Sequence, residues 1–145
     1  MRARVLGIDL GSRRIGVAAT DGLGMTAQPR ATLARHGGVR DLEAIAAVVR
    51  DVGADRIVLG LPLDPEGGEG PAARRARDFA AKLGAALHLP VELVDESFST
   101  VEAEAVLLAA DVSRARRKQV VDKLAAAVIL QRWLDQRKPT GEEQP

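Results

Sequence analysis

The sequence predicts an α/β fold: a mixed five-stranded sheet, its first three strands antiparallel, with helices on both faces. Three observations carry this reading. Two short apolar runs joined by a polar turn open the chain, as in a hairpin. From Val39 onward, helical periods alternate with short Val/Ile/Leu-rich runs, as in strands linked through helices. The length, 145 residues, suits one domain of roughly 100–200 residues.

The elements follow in order. Arg4–Leu10 (RVLGIDL) is an apolar run ending at Gly11-Ser12 and reads as a buried strand. Arg14–Thr20 (RIGVAAT) is its hairpin partner, and Ala27–Ala34 is a third, weaker strand. Gly37-Gly38 breaks the chain. Leu42, Ile45, Val48, Val49 and Val52 then share one helical face until Gly53 ends it. Arg56–Leu61 (RIVLGL) is the fourth strand, followed by the Pro- and Gly-dense loop Pro62–Gly70. Pro71 suits the first position of a helix running to Leu87. Pro90–Asp95 (PVELVD) is the fifth strand. Two helices are expected over Thr100–Ala110 and Lys118–Gln136, separated by a basic segment around Arg114. Residues 1–137 then form one domain, and the polar tail Lys138–Pro145 (KPTGEEQP) is expected to be disordered.

Composition narrows the function. Hydrophobic residues make up 46% and charged residues 28%, an ordinary balance for a globular protein. No apolar run approaches the ~20 residues that span a bilayer, and no secretory leader is expected. The absence of cysteine excludes disulfides, thiolate zinc sites and cysteine nucleophiles, and it fits a reducing cytoplasm. Net charge is +1, but the arginines are clumped: Arg13–Arg14, Arg74–Arg75–Arg77 and Arg114–Arg116–Arg117–Lys118. Guanidinium forks suit phosphate. With aromatics at 2%, there are too few rings to stack successive bases. A nucleic acid would be held by its backbone.

Three acids stand where apolar neighbours make a carboxylate expensive. Asp9 interrupts the first strand on the face of Val5 and Gly7; alternatively, it reaches solvent or caps the next turn. The pair Asp95-Glu96 follows the fifth strand at its carboxyl end, where open α/β sheets bind ligands; it could equally start the next helix. Asp122 heads the stripe Ala126, Ile129, Trp133; it could instead be a first-turn acid favoured by the helix dipole. Together these carboxylates repel one another unless a cation sits among them. Their oxygen-only chemistry suits Mg²⁺ or Mn²⁺. Two such ions about 4 Å apart promote phosphodiester cleavage. No Walker A or Gly-x-Ser-x-Gly sequence is present. The loop Gly67-Gly68-Glu69-Gly70 could cradle a phosphate at the start of the following helix. The whole loop Pro62–Gly70 is expected to be mobile without substrate and to order over the strand being cut.

Four blocks then show a family resemblance. Gly7–Gly11 with Arg14–Ala18 and Thr20-Asp21, Ile57–Pro62 with Gly67 and Phe79, Asp95–Ala103, and Lys118 with Asp122–Leu134 occur in that order across nearly the whole chain. They resemble the YqgF/RuvX family. The resemblance implies an RNase H-like fold and a cytoplasmic, metal-dependent nuclease, with Mg²⁺ or Mn²⁺ held by Asp9, Glu96 and Asp122, and Asp95 as the alternative to Glu96. It implies 5′-end maturation of pre-16S rRNA, or alternatively Holliday junction resolution on branched DNA. Arg13, Arg14, Arg74, Arg75, Arg77, Arg117 and Lys118 are the expected nucleic-acid contacts. One departure stands out: the family has Arg after the Asp-Glu pair, and this chain has Ser97. A silent RNA-binding module on the same fold is a rival that intact acids argue against. An actin-like sugar kinase, suggested by Asp9–Ser12, would need two large domains, which this length cannot supply.

Overall fold

A computed structural model describes residues 4–137; the tail expected from Lys138 lies outside them. The strands are β1 (Val5–Leu10), β2 (Arg14–Thr20), β3 (Ala27–Ala34), β4 (Arg56–Leu61) and β5 (Val91–Asp95). The helices are α1 (Gly38–Val52), α2 (Pro71–Leu87), α3 (Ser99–Ala109) and α4 (Arg114–Arg137). The sheet order is β3-β2-β1-β4-β5. β1, β2 and β3 are antiparallel in sequence, while β4 and β5 run parallel to β1. The predicted mixed sheet is the one observed.

Side-chain alternation assigns the two faces. Leu6, Ile8, Ile15, Val17, Ile57 and Leu59 bury against α1 and α2, joining Ile45, Ala73, Ala76 and Leu83. Val5, Ala18, Val58 and Val94 point to the other face and pack against Ala126, Ile129, Leu130 and Trp133 of α4. This is the period of two expected of a sheet covered on both sides. Gly53 ends α1 in the left-handed conformation, its N–H donating to Val49 O at 2.8 Å.

Edge strand β3 is irregular. Its register against β2 shifts between Val17 and Ala18, next to Pro29, and Gln28, Pro29 and Arg30 are exposed.

The one revision to the helices concerns the basic segment. Arg114–Lys118 does not separate α3 from α4; it forms the first turns of α4. Ser113 supplies the start, with Arg116 N–H donating to its Oγ at 3.3 Å and Arg117 N–H to its carbonyl at 2.9 Å. Arg and Lys are good helix formers and need no apolar stripe to continue a helix. Asp122 therefore lies two turns inside α4, so it is not a first-turn acid at the helix dipole.

Candidate active site

Because β1, β4 and β5 are parallel, their carboxyl ends share one edge of the sheet, and the candidate site is built there. Asp9 is the penultimate residue of β1, directly opposite Gly16 of β2. Glu96 follows β5 and is tied to the end of β4, its N–H donating to Leu61 O at 3.2 Å. Asp122 comes from α4. All three line one cleft of about 320 Å³, together with Ser12, Arg13, Arg14 and Thr100.

Three strand glycines make this meeting possible, and the sequence reading passed over them. A Cβ at Gly16 would lie less than 3.0 Å from the Asp122 carbonyl oxygen, so only glycine lets α4 sit down beside Asp9. A Cβ at Gly7 would meet Leu130 Cβ at 2.7 Å. A Cβ at Gly60 would collide with Glu96 Oε1 and reach Ile129 Cδ1 at 2.8 Å. Glycine inside an apolar strand was the available signal.

Asp95 and Glu96 differ in where their side chains lie. Asp95 is exposed and turned to its neighbour: Ser97 N–H and Ser97 Oγ both donate to its Oδ1, at 2.8 and 2.6 Å. Those bonds hold its carboxyl below the usual range. Ser97, where the resemblance leads one to expect Arg, is thus the residue that engages Asp95. Glu96 turns into the cleft, and its buried Oε1 has no hydrogen-bond partner. The start of α3 uses neither side chain as a cap.

Electrostatics reflect the crowding. Burial first, and then the Asp122 charge, push Asp9 up to about 6. Burial, then Asp9 and Asp95, push Glu96 up to about 7, against an opposing pull from Arg132. Asp122 is partly neutralised by Arg14, whose Nε donates to Asp122 Oδ2 at 2.6 Å. Among the described residues, no three acids or histidines are gathered closely enough to ligate one ion as they stand. The donor set nevertheless fits a hard divalent cation: oxygen donors only, an orphaned buried carboxylate oxygen, and acids that resist sharing their charge.

A pH dependence follows. Both folded-state values lie above the ordinary 3.8 and 4.5. The protonated forms therefore favour folding, and that contribution is lost as pH rises from about 4 through about 7. Without divalent cations, the protein is expected to be less stable at pH 8 than at pH 5 by on the order of 3 kcal/mol, and so to unfold at a lower temperature at pH 8. Mg²⁺ or Mn²⁺ is expected to restore stability mainly at pH 8. Thermal unfolding at both pH values checks this, and equal stability without metal would mean that neither burial nor mutual repulsion raises these carboxyls.

The expected phosphate-binding residues divide. Arg13 is exposed at the cleft rim, Arg75 lines an adjoining opening with Glu96, and Arg74 and Lys118 are exposed on α2 and α4. Lys118 precedes Asp122 by one helical turn. Arg14 is paired with Asp122. Arg77 places its fork on Glu69, with both bonds at 2.6 Å. Arg117 donates to Val112 O at 2.7 Å, closing the α3–α4 connection. The loop after β4 is an internally bonded turn: Asp64 N–H donates to Gly68 O, Gly67 N–H to Asp64 O, and Gly68 N–H to Asp64 Oδ1. Its root, Pro62, lines openings shared with Glu96.

Comparison with known proteins places this arrangement. The family model described as "RuvX: Holliday junction resolvase" matches residues 3–136. The chain belongs to the RuvX family. A RuvX relative from Myxococcus xanthus is 51% identical over 136 residues, covering 94% of this chain and 90% of its own. One from Pelotomaculum thermopropionicum is 47% identical, covering 98% and 99%. Both carry the name "Putative pre-16S rRNA nuclease". Thermus thermophilus RuvC, solved with a Holliday junction substrate, superposes with a TM-score of 0.56 at 15% identity, over 94% of this chain and 96% of its own. The fowlpox virus Holliday junction resolvase superposes equally well, at 0.56 and 10% identity, over 92% and 99%. At such identities the likeness concerns the fold, which is the RNase H-like one that the resemblance implied. None of the described helices is long and apolar enough to cross a membrane.

Proposed function

We propose that this protein is a cytoplasmic, divalent-metal-dependent nuclease that hydrolyses phosphodiester bonds in the 5′-end maturation of pre-16S rRNA. One observation carries the chemistry: acids from β1, the end of β5 and α4 line a single cleft at the carboxyl edge of the sheet. The relatives' names supply the substrate class. Asp9, Glu96 and Asp122 would hold Mg²⁺ or Mn²⁺. A bound divalent pair supplies an activated water and neutralises charge on the leaving oxygen. The chain's own residues do the rest. Glu96 Oε1, lacking any donor, is kept free for the cleft by the space at Gly60. Arg14 partly offsets the charge of Asp122. Arg13 and Arg75 flank the acids from two sides and present guanidinium groups to a passing backbone.

A second reading, cleavage of four-way DNA junctions, is favoured by the family model's description. Cleavage of a pre-16S rRNA fragment and of a four-way junction, side by side with Mg²⁺ or Mn²⁺, separates the two. Failure to cut either would overturn both.

Binding should depend on salt through the exposed cations. Each neutralised phosphate adds about −0.7 to −0.9 to the log–log slope of affinity against salt. Replacing Arg13, Arg74, Arg75 and Lys118 together with Ala is expected to flatten that slope by about 3. Arg77→Ala, which removes a guanidinium already held by Glu69, is expected to leave it nearly unchanged. A salt titration of both variants decides whether the free and paired arginines differ.

A further inference from the structure

A cavity of about 470 Å³ opens between the start of α1 and the middle of α2, on the face of the sheet opposite α4. Arg75, Asp78, Phe79 and Lys82 line it from α2, at spacings of three, four and seven that place them on one helical stripe. Val39 and the loop residue Arg35 face them. Its volume falls within the range of small-ligand sites.

The charge exposed in it is positive. Of its two acids, Asp41 is only 2% exposed and is already engaged, accepting bonds from His36 N–H at 2.8 Å and Gly37 N–H at 2.9 Å. Arg35 Nε lies 3.8 Å from Asp41 Oδ2 and offsets that charge, which leaves Asp78 against Arg75 and Lys82. Arg35 is braced by its bond to Gly11 O at 2.6 Å. Arg75 and Lys82 make no ion pair among the described residues. Phe79, one of three aromatic residues in the chain, is half-buried and lends the cavity an apolar wall.

The cavity is also joined to the acids. Arg35 and Arg75 line a second opening of about 230 Å³, which reaches Leu10, Ser12 and Glu96. Those three residues line the acidic cleft as well. The three openings thus share lining residues in turn, from the one that holds Asp122 to the one that holds Lys82.

We infer that the α1–α2 cavity is a nucleotide subsite, taking a nucleotide of the bound strand that flanks the cleaved bond. The phosphate lies against Arg75 and Lys82, and the sugar and base lie against Phe79 and Val39. This rests on the nuclease reading and adds the direction in which the strand leaves the acids.

The chain contains no cysteine, so Asp78→Cys puts its only thiol between Arg75 and Lys82 without removing a cation. A short single-stranded RNA is expected to slow alkylation of that thiol by iodoacetamide at least about tenfold. An Arg50→Cys control at the far end of α1 should react as before. Adenosine monophosphate should protect position 78 where inorganic phosphate at equal concentration does not. Adding Lys82→Glu should abolish the protection, and Lys82→Glu alone should reduce the salt slope of RNA binding by about 1. Unprotected thiol at position 78 in the presence of RNA would overturn the subsite. Equal protection by phosphate would reduce it to an anion contact and overturn the nucleotide assignment. Failure of the nuclease reading would show separately, as no cleavage by the unaltered chain, while the thiol still reads the cavity.

Discussion

Asp9→Asn is expected to lower cleavage at least about a thousandfold, equivalent to about 4 kcal/mol of transition-state stabilisation. The fold should survive. Asn keeps the shape of Asp9 and removes a charge that burial and Asp122 already disfavour, so the variant should be at least as stable as the parent near pH 8. Its stability should also vary less between pH 5 and 8. Asp122→Asn should lose cleavage similarly but gain less stability, because it gives up the bond from Arg14. Rates with Mg²⁺ and Mn²⁺, paired with thermal unfolding, check both. Near-parental turnover by either folded variant would remove these acids from the mechanism.

The second large effect is on folding. Gly16→Ala is expected to destabilise the protein by about 3 kcal/mol, the upper part of the usual range for overpacking. The added methyl would meet the Asp122 carbonyl oxygen and carbon and the Lys123 nitrogen. These are backbone atoms and cannot rotate aside, so α4 must lift from β2 and carry Asp122 away from Asp9. Gly22→Ala is the control: a Cβ there meets nothing within 4 Å, and its effect should stay within about 0.5 kcal/mol. Denaturant unfolding of the two variants tests the close approach, and equal stability would refute it.

These cases show which kinds of feature a sequence displays. Strands β2, β3 and β4 and helix α2 could be bounded from residues alone, because apolar runs ended at glycine, proline or polar clusters. The beginning of α4 was hidden because Arg114–Lys118 has a lone alanine, Ala115, and so no apolar stripe to carry a helical period, and the informative residue, Ser113, is a single hydroxyl. Asp9 and Asp122 drew attention as charges within apolar stripes. Asp95 and Glu96 were indistinguishable in sequence, being adjacent acids after one strand; the two bonds from Ser97 are a matter of turn geometry. The pairing of Arg14 with Asp122 spans 108 residues, a separation at which local pattern carries no information. The sequence groups Arg14 with Arg13, and the pairing that distinguishes them is visible only in the structure.

The uneven outer margin of the sheet has a bearing on self-association. Exposed strand borders are templates onto which another molecule can hydrogen-bond, the first step toward edge-to-edge assembly and fibrils. Here one border, β3, contains a proline without an N–H and a break in register beside it. The other, β5, offers only five residues. Neither presents a long, regular row of donors and acceptors. A second copy of the chain would find a poor partner in the sheet, so edge-to-edge pairing is disfavoured as a route to self-association.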